Sequence, residues 1–182
     1  LNYENKALRE QIKKEVEFII PLDSLEVKTI AQVLAWIDSG VELCRIEKPA
    51  TPDKHLVSYF VVVDGDYILL VDHINAEKWL PTGGHIEAGE HPKDTVKREA
   101  YEELKIQTNF IHDKPLLLTS TKTVGKTAGH TDISLWYAIK GNRLSALTID
   151  KKEFNEARWF HREDRPMNTD PHLARFLKKL YA

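Results

Sequence analysis

The chain predicts an α/β (α+β) fold, a layered domain of residues 51–182 preceded by a helical hairpin and linker over residues 1–50. Three observations predict it. Apolar residues recur at helical spacing through the first forty positions. After residue 51, runs rich in β-branched and aromatic residues, bounded by turn signals, take over. One further helical stretch, opened by a proline, stands among those strands, and helices mixed with strands in this order give a layered domain.

In the first element Leu8, Ile12, Val16 and Ile19 lie on one face among Glu and Lys. A second helix follows at once: Asp23 with Glu26 makes a capping pair, Val27, Ile30, Leu34 and Ile37 form the apolar face, and Gly40 can end the helix in a left-handed conformation. Residues 1–40 therefore read as a hairpin appended to the domain. Pro49 and Pro52, with Glu47 and Lys48, mark the linker. Leu56 to Val63 and Tyr67 to Val71, joined by Asp64-Gly65-Asp66, predict a β-hairpin. Pro92 at a first helical position predicts a helix to about Leu104. Strands are expected at Leu116–Thr121, Thr131–Ile139 and Ala157–Phe160, and a closing helix over Asp170–Tyr181.

Composition bounds the function. The 182 residues are 42% hydrophobic and 30% charged, which suits one globular core and argues against a disordered chain. No apolar run approaches the ~18 residues of a membrane span, and residues 1–20 lack the zones of a signal peptide, so a soluble cytoplasmic protein is expected. Cys44, the single cysteine, excludes an internal disulfide and reads as a small buried hydrophobe. A net charge of -2 gives no bulk attraction for long nucleic acid or anionic membranes, so an anionic ligand needs a local site.

That site is expected between Gly83-Gly84-His85-Ile86-Glu87-Ala88-Gly89-Glu90, read as a Gly-rich loop, and Arg98-Glu99-Ala100-Tyr101-Glu102-Glu103. On a helix Glu99, Glu102 and Glu103 span an arc of about 100°, apart from an apolar stripe of Val96, Ala100 and Leu104. Three carboxylates this close repel one another, and a divalent cation resolves the conflict. Mg²⁺ takes hard oxygen ligands and bridges carboxylates to substrate phosphates, while glycine lets backbone approach a ligand closely. Taken alone, the acidic stripe also fits an ordinary solvated helix face.

The complete spacing resembles the box of the Nudix hydrolases, G-x5-E-x7-R-E-U-x-E-E-x-G-U, where U is bulky or aliphatic. Gly84, Glu90, Arg98, Glu99, Glu102 and Glu103 match without a gap, Ala100 and Ile106 fill U positions, and Lys105 replaces the last glycine. A chance match at the six polar and glycine positions is on the order of one in tens of thousands. Flanking residues add to the resemblance: Trp79-Leu80-Pro81, His55-Leu56, Asp72-His73, His130-Thr131-Asp132 and Glu156-Ala157-Arg158-Trp159 are similar to a group of small MutT-like Nudix proteins.

The resemblance implies an α/β/α sandwich with a mixed sheet and a pyrophosphohydrolase that cleaves a nucleoside diphosphate derivative with Mg²⁺ or Mn²⁺. It implies that Glu99, Glu102 and Glu103, with the Gly83 carbonyl, hold the metal, and that Arg98 and Glu90 brace loop and helix. The general base is expected to be Glu99 first and Glu156 second. Gly83, Gly84, His85, Trp79 and His130 are candidate substrate contacts, though a Trp before Leu-Pro also suits a core position. Lys105 puts the local geometry of the helix exit in question.

The eight histidines are scattered without paired ligand spacing, which argues against structural zinc. Lys122 and Lys126 could reach phosphates from a loop. Gly125-Lys126-Thr127 lacks the earlier glycine of a phosphate loop, since Ser120 stands there. The implied ligand is a small nucleotide or nucleotide conjugate, and the hairpin makes a homodimer a further expectation. A nucleotide-binding module without turnover is the alternative.

Overall fold

The computed structural model describes residues 3–47, 51–123 and 129–182. Lys48, Pro49 and Ala50 of the linker, and Lys126, lie outside the described residues. The hairpin helices are α1 (Tyr3–Glu17) and α2 (Ser24–Asp38). Asp23 caps α2 by accepting a hydrogen bond from the Glu26 amide at 2.8 Å, and Gly40 takes φ 78° beyond its end. Both follow from residue type, because a short carboxylate satisfies an orphan amide and glycine tolerates positive φ.

Seven strands follow among the described residues: β1 (Lys54–Asp64), β2 (Tyr67–His73), β3 (Lys78–Leu80), β4 (Thr82–His85), β5 (Leu117–Lys122), β6 (Thr131–Lys140) and β7 (Phe154–His161). Helix α3 (Pro92–Leu104) stands between β4 and β5, and α4 (Leu173–Leu180) closes the chain. The sheet runs β3-β2-β1-β6-β5, with β4 on β1 and β7 on β2. Strands β1 and β6 are parallel from Lys54↔Thr131 to Val63↔Lys140, and the other pairings are antiparallel. The sheet is therefore mixed.

Alternation along β1 explains the layers. Leu56, Phe60 and Val62 join the core on the α1, α2 and α3 side, whereas Val61 and Val63 join the core under α4. A strand covered on both faces needs a near-continuous apolar run, which residues 56–63 supply. The architecture is thus the expected helix, sheet, helix sandwich.

Two expectations change. Residues 82–85 form a strand instead of a loop, with Tyr59↔Gly83 and Ser58↔Gly84 in register. Glycine is required there by close approach: a Cβ on Gly83 would sit 2.5 Å from the Ser58 carbonyl oxygen. The hairpin, moreover, is no appendage. Ile12, Val16, Val33 and Ile37 are buried in the same core as Leu56, Phe60, Ile133 and Tyr137, while Phe18, Ile20, Leu25 and Val27 are exposed. Cys44 is buried and free, as its reading as a small hydrophobe requires, and burial pushes its thiol up to about 11.

Candidate active site

The box folds around Arg98. Its Nε donates to Glu90 Oε1 at 2.9 Å and its Nη2 to Glu90 Oε2 at 3.0 Å, a bidentate pair, while Nη1 donates to Glu99 Oε1 at 2.6 Å. Nη2 also reaches the His85 carbonyl at 3.2 Å. Glu90 further accepts from the Thr95 hydroxyl at 2.7 Å and from the Glu87 amide at 3.1 Å. Burial raises the Glu90 carboxyl, but the Arg98 and Thr95 hydrogen bonds outweigh it and hold the group below its usual range. One planar guanidinium thereby locks the turn at 87–90, the end of β4 and the first half of α3.

The three helix carboxylates are placed unequally. Glu103 is buried, and Glu99 has a side chain only 14% exposed, whereas Glu102 is 59% exposed and reaches Arg98 Nη1 at 3.5 Å. Glu99 packs where a Cβ on Gly84 would overlap its carboxylate, so glycine at that position makes room for the acid. Burial, then the charges of Glu99 and Glu153, push Glu103 up to about 9. Burial also raises Glu99, against the pull of Arg98. Glu103 Oε2 is a buried oxygen without a hydrogen-bond partner. An orphaned carboxylate oxygen among acids fits a hard cation in the way the box resemblance implies.

A cavity of about 560 Å³ opens beside this helix and is lined by Gly83, Gly84 and Glu103 together with His85, His130 and Asp132. Arg45, Lys78 and Lys122 also line it, supplying cationic groups for an anion. A larger hollow of about 960 Å³, walled by Phe18, Ile20, Leu177 and Tyr181 among others, contains none of the box residues. The smaller cavity is the one of the two that box residues line.

Trp79 and Glu156 lie apart from that cavity wall. Trp79 on β3 packs edge to face on Phe160, with ring centroids 5.0 Å apart, and takes the packing role. Glu156 is exposed on β7 and holds Arg158 Nη2 with both oxygens at 2.9 Å. The later acid that bears on Glu99 and Glu103 is instead Glu153, whose charge raises both. The loop carrying it docks on the end of α3, where the Asp150 amide donates to the Glu103 carbonyl at 2.9 Å. No local spacing in the sequence marks Glu153, because the contact comes from that docking.

The histidines supply the other surprise. His55, His85, His130 and Asp132 converge, each offering a ligand atom within 4.8 Å of the others. The strand pairing brings them together: His55 is the partner of Asp132 across β1 and β6, and His85 is the partner of Val57 across β1 and β4. Burial, with Arg45 beside it, pulls His85 down to about 4, so its ring is neutral at pH 7. Sequence offers only the i, i+2 spacing of His130 and Asp132 as a hint.

The NUDIX domain family model matches residues 53–180. Among solved structures, the chain is similar to a NUDIX-family hydrolase from Clostridium perfringens at 24% identity, with a TM-score of 0.55, over 70% of this chain and 96% of that one. It is also similar to a MutT NUDIX hydrolase from Burkholderia pseudomallei at 18% identity, with a TM-score of 0.57, over 69% and 96% of the two chains. DR0079 from Deinococcus radiodurans aligns at 14% identity, with a TM-score of 0.54, over 77% and 91%. These likenesses concern the fold, and no curated protein sequence matches the chain.

Proposed function

This chain belongs to the NUDIX domain family, a hydrolase family acting on phosphorus anhydrides, and from that premise we propose a pyrophosphohydrolase that cleaves the diphosphate linkage of a small nucleotide or nucleotide conjugate with Mg²⁺ or Mn²⁺. The observation that carries the proposal is Glu103: a buried carboxylate with an orphaned oxygen, on the wall of a cavity that also presents Arg45, Lys78 and Lys122. Glu99, Glu102 and Glu103, with the Gly83 carbonyl, would hold the cation, and Arg98 and Glu90 keep the acids in place. A bound cation would offset phosphate charge and lower the pKa of attacking water.

The remaining work falls to the chain's own groups. Arg98 orients Glu99 through a charge-assisted hydrogen bond, which makes Glu99 the first candidate to take the proton of the water. Glu153 replaces Glu156 as second candidate, because Glu156 is engaged with Arg158 and Glu153 bears on Glu99. The cavity cations Arg45, Lys78 and Lys122 would meet the phosphates of the substrate, and His85 and His130 of the same lining are candidates to meet the remainder. Among the described residues no helix is long and apolar enough to cross a membrane, and the net charge of -2 favours a small ligand over long nucleic acid.

Phosphate and pyrophosphate release from a panel of nucleotides and nucleotide conjugates tests this. Turnover with Mg²⁺ or Mn²⁺, abolished by EDTA and reduced at least about 100-fold in Glu103→Gln and Glu99→Gln, is the expected outcome. Tight nucleotide binding with no turnover on the panel would instead identify a binding module.

A further inference from the structure

With neutral rings, His55, His85 and His130 can all turn ring-nitrogen lone pairs toward the Asp132 carboxylate. His55 is fully buried and its Nδ1 lies 2.8 Å from the carbonyl oxygen of Pro52, which can only accept, so Nδ1 carries a hydrogen and, in the neutral ring, Nε2 a lone pair. His85 Nε2 lies 3.3 Å from an Arg45 guanidinium nitrogen, which can only donate, so this nitrogen also carries a lone pair. At His130 the Thr123 hydroxyl stands 3.1 Å from Nδ1 and 3.1 Å from the backbone carbonyl oxygen and accepts from the backbone amide at 3.3 Å; in the tautomer with the hydrogen on Nδ1, Nε2 is an acceptor. The fourth group is a carboxylate.

These acceptors meet at Asp132 Oδ1, which lies 3.3 Å from His55 Nε2, 3.3 Å from His130 Nε2 and 4.0 Å from His85 Nε2. Yet His55 Nε2 and Asp132 Oδ1 are both buried without a hydrogen-bond partner. Burying two acceptors against each other costs free energy unless a cation lies between them. We propose that His55, His85, His130 and Asp132 form a transition-metal site of Zn²⁺ type, separate from the carboxylate site of the box.

Donor chemistry selects the ion. Three imidazoles and one carboxylate suit a borderline cation such as Zn²⁺, whereas Mg²⁺ prefers oxygen ligands alone. Size agrees: metal–ligand distances of about 2.1 Å in a tetrahedron give edges of about 3.4 Å, against the observed 3.3, 3.3 and 4.0 Å. The ligand atoms all lie within 4.8 Å of one another, so the ring nitrogens would draw together by up to about 1.4 Å around the ion. A four-ligand set of this kind closes the coordination shell, so the metal would clamp the starts of β1 and β6 to the end of β4. The clamp would fix part of the lining of the cavity that Glu103 also lines. This inference does not depend on the hydrolase reading.

The full chain, stripped of metal and held in excess Mg²⁺ so that the box carboxylates are engaged, is titrated with Zn²⁺ by calorimetry and with Co²⁺ by visible absorption. The expected result is one equivalent of Zn²⁺ bound and a Co²⁺ spectrum of tetrahedral intensity. Binding should weaken at least about tenfold in His85→Gln and Asp132→Asn and stay unchanged in Glu99→Gln and Glu103→Gln. His85 is partly exposed, so its variant keeps the test valid if Asp132→Asn fails to fold. Absence of saturable Zn²⁺ binding overturns the proposal, as does binding lost in the glutamate variants but kept in His85→Gln. A His55 imidazolium signal at neutral pH that Zn²⁺ leaves unchanged would also overturn it, by showing a buried ion pair with Asp132.

Discussion

Glu103 holds a proton at neutral pH in the metal-free protein, since burial and the neighbouring acids push its carboxyl up to about 9. An unfolded glutamate ionises near about 4.3. Between those values the native state binds one proton more than the unfolded state, so the stability tied to that proton is complete below about pH 4 and is lost as pH rises towards 9. The ceiling of this slope is about 1.4 kcal/mol per pH unit. Urea unfolding of the metal-free protein between pH 6 and 8.5 should therefore show falling stability, which Glu103→Gln flattens. Excess Mg²⁺ should flatten it too, because the cation binds the ionised form. Equal slopes in wild type and variant would mean that Glu103 is already ionised at pH 6. The acid was legible in sequence because helical spacing fixes Glu99, Glu102 and Glu103 relative to one another. Its burial was not, since that depends on β4 and on the loop bearing Glu153. His55 shows the same limit: its partners come from two other strands, and only register puts them side by side.

Helix α3 has the boundaries that Pro92 and the apolar stripe predict, and its exit resolves the doubt attached to Lys105. Lys105 adopts φ 56° and donates its amide to the Tyr101 carbonyl at 3.1 Å, so the lysine takes the left-handed cap that a glycine usually supplies. A β-carbon in that region costs about 1 kcal/mol, and the long side chain recovers part of it by lying 5.1 Å from the Tyr101 ring. Lys105→Gly should accordingly raise stability by about 0.5–1 kcal/mol without altering turnover, as chemical denaturation and the release assay would show. A loss of stability would mean that the ring contact outweighs the backbone strain. Strand β4 is the contrasting element. Glycines disfavour strands by propensity, and four residues are too few for a pattern, so its pairing with β1 could not be read locally.

Glu26 decides how the hairpin belongs to the molecule. Its side chain is fully buried and accepts from the Leu22 amide at 2.7 Å, from the Leu118 amide of β5 at 3.1 Å and from Lys179 of α4 at 3.0 Å through both oxygens. One carboxylate thus joins α2, the sheet edge and the last helix. Asp23 adds a second tie, to Arg175 at 2.8 Å. The family match begins at residue 53, so a boundary near residue 50 is proposed as one of shared ancestry and not of packing. A sequence reading sees the capping role of Glu26 because the partner is three residues away. The role as a joint is hidden, since Leu118 and Lys179 are 92 and 153 residues distant. Removing the carboxylate leaves Lys179 and the Leu118 amide without their partner in a dry setting, a change that costs about 3–5 kcal/mol for a buried pair. Glu26→Ala should lose about that much in urea unfolding, and more than Asp23→Ala, whose ion pair with Arg175 is partly exposed. At temperatures where the variant remains folded its KM should match the wild type, because the joint lies outside the cavity lined by Glu103. A loss below about 1 kcal/mol would mean instead that apolar packing by Ile12, Val16, Val33 and Ile37 holds the hairpin without the joint.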